Sequence, residues 1–150
     1  MGIRMQVTID CADPGVLAQF WALALDYVLE PPPDGFESWN EYWRSVGVPE
    51  EELSDAADVP NSVVDPDGVG PRVWFQQVPE GKAVKNRLHI DVTVSGGRTV
   101  ALETRKGLVD AHVAKLLAAG AVVHHRHDGE VEGHYAVTML DPERNEFCVH

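Results

Sequence analysis

The chain has 150 residues, with 12 Lys and Arg against 24 Asp and Glu, so its formal net charge is −12. That length suits one ordinary domain, and 44% hydrophobic with 24% charged content is the balance of a globular protein, not a disordered one. The charge argues against a nucleic-acid partner or an anionic membrane surface, because affinity for phosphate comes mainly from Lys and Arg.

The opening Met1-Gly2-Ile3-Arg4-Met5-Gln6 lacks the apolar core of a signal peptide. No run approaches the roughly 18–20 apolar residues of a membrane span. Cys11 and Cys148, both in strand-like runs, read as buried thiols of a reducing compartment. The expectation is a cytoplasmic protein.

Met5 to Cys11 alternates with period two and predicts a half-buried strand. Asp13-Pro14 then opens a helix, Asp as N-cap and Pro in the first turn. Val16, Leu17, Phe20, Trp21, Ala24, Leu25 and Val28 form its apolar stripe, whose default role is core packing. Pro31-Pro32-Pro33 ends the unit. Residues 34–61 read as an insertion, with an aromatic helix near Glu37–Val46 and a second short helix from Pro49. Ser62-Val63-Val64, the turn Asp65-Pro66-Asp67-Gly68 and Arg72–Val78 read as strand, turn, strand.

After a loop over residues 79–86, Arg87 to Val94 is a second alternating strand. A Gly-containing connection over residues 95–107 leads to a helix with Val109, Val113, Leu116 and Leu117 on one stripe, capped by Gly120. Strands follow at Ala121–His124, Tyr135–Leu140 and Glu146–His150, with turns at Asp128-Gly129 and Asp141–Asn145. The order is strand, helix, strands, twice. Each half is too small to bury its own sheet face, so the halves must share a surface or pair with another chain.

Alternation splits each strand into two faces. Val7, Ile9 and Cys11 oppose Gln6, Thr8 and Asp10; Leu88, Ile90, Val92 and Val94 oppose Arg87, His89, Asp91 and Thr93; Phe147 and Val149 oppose Glu146, Cys148 and His150. The polar faces collect side chains that ligate divalent metals or carry protons. A curled sheet would make them the floor of a small-molecule site; an open one would leave them a solvated face.

Other candidates are weaker. His124, His125, His127 and His134 straddle a hairpin turn and read as a solvated edge. Asp65-Pro66-Asp67-Gly68 lacks the remaining ligands of a calcium loop, and Gly68-Val69-Gly70 precedes a strand, not a phosphate-binding helix. No serine nucleophile elbow occurs. Trp39, Tyr42, Trp43 and Trp74 suit either an aromatic pocket or ordinary core or dimer packing, the latter favoured. Arg72 and Arg87 could bind an anion or pair with surplus carboxylates.

The segments Val7–Pro14 with Phe20-Trp21, Lys85–Val92 and Leu140–Val149 together resemble the vicinal oxygen chelate superfamily, in particular its glyoxalase-like and bleomycin-resistance-like proteins. The last segment carries the most specific match, an aspartate-proline before a tight turn and final strand, with Arg144 where the pattern usually has glycine. The resemblance implies an α+β fold of two βαβββ modules, about residues 1–79 and 80–150, forming a cup-shaped mixed sheet with helices outside. It also implies a homodimer and a divalent metal on the cup floor.

Carried over residue by residue, the resemblance places metal ligands at Gln6 and His89, with Gln76 and Glu146 completing the set. Cys148 occupies the position where the enzymes have a ligand glutamate, with Glu146 two residues earlier on the same face and His150 beyond. His89 and Glu146 would be the catalytic pair, and Thr8, Trp74, Asp91 and Cys148 substrate contacts. With no carboxylate at the expected position, lactoylglutathione lyase activity is disfavoured. Two functions follow: a metal-dependent lyase, isomerase or dioxygenase, or a metal-free protein of the bleomycin-resistance kind that sequesters a drug or metabolite.

Overall fold

The computed structural model describes residues 2–53 and 55–150. They form two compact units: residues up to Ala22 with Asp26–Pro79, and Leu23–Leu25 with Glu80–His150.

The first unit holds β1 (Gln6–Cys11), most of α1 (Pro14–Leu25), β2 (Val28–Leu29), α2 (Trp39–Ser45), β3 (Ser62–Val64) and β4 (Arg72–Gln77). Its mixed sheet has the order β1-β4-β3-β2, with β1 parallel to β4 and the other pairs antiparallel. Asp13 caps α1, its Oδ1 accepting from the Val16 amide at 3.0 Å, with Pro14 in the first turn. Leu17, Phe20, Trp21 and Ala24 are buried, as the stripe predicts. Val16 and Val28 are corrections: Val16 is exposed, and Asp26 at φ 52° breaks the helical period so that Val28 lies in β2. The insertion forms α2, capped by Ser38 through the Glu41 amide at 3.1 Å, and 3₁₀ turns at Glu50–Glu52 and Asp55–Asp58.

The second unit repeats the plan with β5 (Asp91–Val92), α3 (Leu102–Ala118), β6 (Val122–Asp128), β7 (Tyr135–Leu140) and β8 (Glu146–Val149). The sheet order is β5-β8-β7-β6, again with the first and last strands parallel. Val109, Val113 and Leu116 of α3, which packs on β7 and β8, are buried, as are Val137, Met139, Phe147 and Val149 of those strands. Burying each of the larger side chains stabilises the fold by about 1.5–3 kcal/mol. Gly120, at φ 102°, closes α3: its amide reaches the Leu117 carbonyl at 3.2 Å and the next amide reaches Leu116 at 3.0 Å, a Schellman pair.

Three expectations change here. The strand expected over Arg87–Val94 is regular only at Asp91–Val92, and Leu88 is 88% exposed. In register Asp91 opposes Cys148 and β8 starts at Glu146, so residues before His89 run out of partner strand. α3 begins at Leu102, inside the expected connection, because Gly107 sits on an exposed side where a glycine costs only about 1 kcal/mol. Leu117 is exposed, and the buried side of α3 instead includes Arg105, whose guanidinium donates to the Val100 and Gly133 carbonyls.

The turns before β4 and β8 are built alike. Asp65 Oδ1 accepts from the Asp67 amide, and its Oδ2 from those of Val69 and Gly70. Asp141, buried, accepts from the amides of Glu143 and Asn145, each at 2.9 Å. Gly68 (φ 68°) and Arg144 (φ 71°) occupy the same left-handed position, each three residues after its Asp and bonded back to it.

Candidate functional site

Pairing in the second sheet lines up one polar row across all four strands. Asp91 on β5 opposes Cys148 on β8, Cys148 opposes Thr138 on β7, and Thr138 opposes His125 on β6. Directly opposed residues share a face, so these four side chains stand on the side away from Phe147, Val149 and Met139. Thr138 Oγ1 is 3.4 Å from Cys148 Sγ. His89, two residues before Asp91, holds Nδ1 at 3.7 Å from Asp91 Oδ1, and Thr93 Oγ1 is 3.2 Å from His150 Nε2. Donor atoms of His89, Asp91 and Cys148 all lie within 4.8 Å of one another.

Glu146 has a different setting. Its Oε2 accepts from the Asn86 amide at 2.9 Å and pairs with Lys82 Nζ at 3.0 Å. Those contacts, the Asn86 amide first, hold its carboxyl down to about 2 against burial. A carboxylate this acidic is a weak base at neutral pH. It works as a clasp between the loop over residues 79–86 and β8.

In the first unit Gln6, Thr8, Arg72, Trp74 and Gln76 share the polar face, with Thr8 opposite Trp74 and Gln6 opposite Arg72. Arg72 Nη1 donates to Gln6 Oε1 at 2.7 Å, and Arg72 Nε and Nη2 donate to Glu30 Oε2 at 2.8 and 2.5 Å. Burial raises the Glu30 pKa, but hydrogen bonds from Arg72 and Ser62 and the guanidinium charge outweigh it and leave it below the usual range. Gln76 is exposed near the end of β4. Beside this face Trp39, Tyr42 and Trp43 of α2, with Asn61, Arg72 and Trp74, line a recess of about 430 Å³. Trp39 and Trp43 stack at 5.6 Å between centroids, and Trp39 Nε1 donates to the Glu30 carbonyl at 3.1 Å. The aromatic residues thus line a recess in this unit and are not simply core.

Within each unit the expected ligands have different settings. His89, an expected ligand, converges with Asp91 and Cys148, both expected only as substrate contacts. Gln6 is engaged by Arg72 and Glu146 by Asn86 and Lys82. Thr138 was missed, although it is the one polar side chain in Ala136-Val137-Thr138-Met139-Leu140.

Two units of one βαβββ plan, each a four-stranded mixed sheet with its helix, define an α+β class of protein. The chain belongs to the glyoxalase-like domain family, whose model matches residues 6–150. Similar solved structures include a hypothetical protein from S. aureus (18% identity, TM-score 0.58, 99% of this chain and 93% of that one). A glyoxalase/bleomycin resistance protein/dioxygenase family enzyme from Burkholderia phytofirmans PsJN has 19% identity and TM-score 0.53 over 96% of this chain and 94% of that one. The fosfomycin resistance protein FosX from Listeria monocytogenes, solved as a mutant with Mn(II) and 1S,2S-dihydroxypropylphosphonic acid, has 12% identity and TM-score 0.59 over 100% and 90%. At these identities the likeness shows the fold. No curated protein sequence matches the chain. Among the described residues no helix is long and apolar enough to cross a membrane.

Proposed function

We propose that this protein is a metal-dependent enzyme of the glyoxalase-like family, acting on a neutral or cationic small molecule at the polar face of the second sheet. The observation that carries this is the convergence of His89, Asp91 and Cys148 within 4.8 Å. Imidazole, carboxylate and thiol together fit a divalent metal with some softness, such as zinc or iron(II), better than a hard one held by oxygen alone. A metal there would polarise substrate oxygens as a Lewis acid. Thr138, bonded to Cys148, would orient the sulfur, and the Thr93–His150 pair offers a neighbouring group for proton transfer. Gln6 and Gln76 have no part in holding the metal in this reading, and Glu146 steadies β8.

FosX was solved with Mn(II) and a phosphonate. Here Asp91 and a net charge of −12 disfavour so anionic a substrate. Elemental analysis of tag-free protein should find a divalent metal that His89→Ala and Cys148→Ser each remove. If both variants keep the full metal complement, the site is not there.

The aromatic recess favours a second reading, a metal-free binder of a planar ligand, with Trp39, Trp43 and Trp74 as walls and Glu30 and Arg72 at its edge. Quenching of tryptophan fluorescence by aromatic cations, lost in Trp74→Ala, would support it. Both readings retain a homodimer in the cytoplasm, which sedimentation and fractionation would test.

A further inference from the structure

We propose that His125, His127 and Glu130 form a second divalent-cation site, of zinc type, with ligands distinct from those of the His89 group. His125 Nε2 lies 2.6 Å from Glu130 Oε1, and His127 Nδ1 lies 2.8 Å from Glu130 Oε2. The two rings meet edge to face with centroids 4.4 Å apart. Donor atoms of all three residues are within 4.8 Å of one another. Tetrahedral zinc needs its donors about 3.3 Å apart, given bonds of about 2.0–2.2 Å. Small rotations of His125 and Glu130, whose side chains are 52% and 51% exposed, bring the donors to that spacing.

Backbone geometry sets this cluster up. Pairing of β6 with β7 slips between Val123 and His125, so Val123 opposes Met139 of the core while His125 opposes Thr138. A bulge of this kind re-aims the residues beyond it, here bringing His125 and His127 to the polar face. The turn at Gly129, φ 80°, brings Glu130 back to them.

His127 also has the outer partner that metal-binding histidines usually keep. Its Nε2 is 2.9 Å from Thr138 Oγ1, which can accept the ring proton and leave Nδ1 with a lone pair for the cation. Two nitrogens and one carboxylate suit zinc, cobalt(II) or nickel(II) and not magnesium or calcium. Three protein ligands leave a fourth position for water or a small anion.

The test is calorimetric titration of tag-free protein with zinc and, in parallel, cobalt(II). A stoichiometric site should survive in the His89→Ala/Cys148→Ser variant, and its cobalt spectrum should lack a thiolate charge-transfer band. That site should disappear in His125→Ala/His127→Ala, and Thr138→Val should weaken it about tenfold, with Thr138→Ser restoring it. Unchanged zinc stoichiometry in the double histidine variant, or a cobalt band from thiolate at the surviving site, overturns the proposal. Loss of the His89 group alone leaves this result intact, so the two sites fail separately. Circular dichroism of each variant checks that the substitutions left the fold in place.

Discussion

Arg144 and Glu146 lie two residues apart in the last turn and strand, and each has a measurable consequence. Arg144 adopts φ 71°, a region that costs an L-residue with a side chain about 1 kcal/mol and glycine almost nothing. Its counterpart in the first unit is Gly68 at φ 68°. Arg144→Gly should therefore raise stability by about 1 kcal/mol, read as a higher urea midpoint with unchanged slope. Glu146 should act in the opposite sense. Its carboxyl titrates near 2 when folded against 4.5 ordinarily, so the unfolded chain binds protons first as pH falls. Its contribution is complete above about pH 4.5 and fades as pH drops toward 2. Glu146→Gln should lose about 1.5–3 kcal/mol at pH 7, and its denaturation curve should meet that of the parent near pH 2.

Among the elements, the turn before β4 leaves the least room. A Cβ at Gly70 would stand 1.8 Å from the Tyr27 hydroxyl oxygen and 3.0 Å from its ring carbon. Gly70→Ala should lower the melting temperature by several degrees, and Tyr27→Phe in the same chain should recover part of that loss by removing the nearer atom. A milder test lies at α1, where Asp13→Ala should cost about 0.5–2 kcal/mol through the lost cap. That cap was legible in the sequence because Asp-Pro before an apolar stripe is local information. β5 was not, because its length depends on where its partner β8 begins. The bulge in β6 was also hidden: alternation counts faces within one strand, whereas a bulge is a relation between two. The grouping of His125 and His127 with Glu130 therefore could not be separated from a solvated edge by spacing alone.

At the scale of the whole molecule, 24 acidic side chains against 12 basic ones produce self-repulsion in the compact state. Raising salt from about 10 mM to 150 mM shortens the screening length from about 30 to 8 Å and should raise the melting temperature. A flat response would mean that local pairs such as Arg72–Glu30 and Lys82–Glu146 already absorb the charge. The sequence by itself determined the acidic charge balance, the twofold strand–helix–strand order, the two helix caps at Asp13 and Gly120, and the candidate status of His89 and Cys148. These rest on composition, periodicity and single-residue conformational preference, all properties of the chain within a few residues. Only the tertiary structure decided that Asp91 joins His89 and Cys148, that Gln6 and Glu146 are held by Arg72 and by Lys82 with Asn86, and that the tryptophans of the insertion line a recess with Trp74. Those outcomes depend on register and on which charges meet across strands, and segments far apart in the chain settle both.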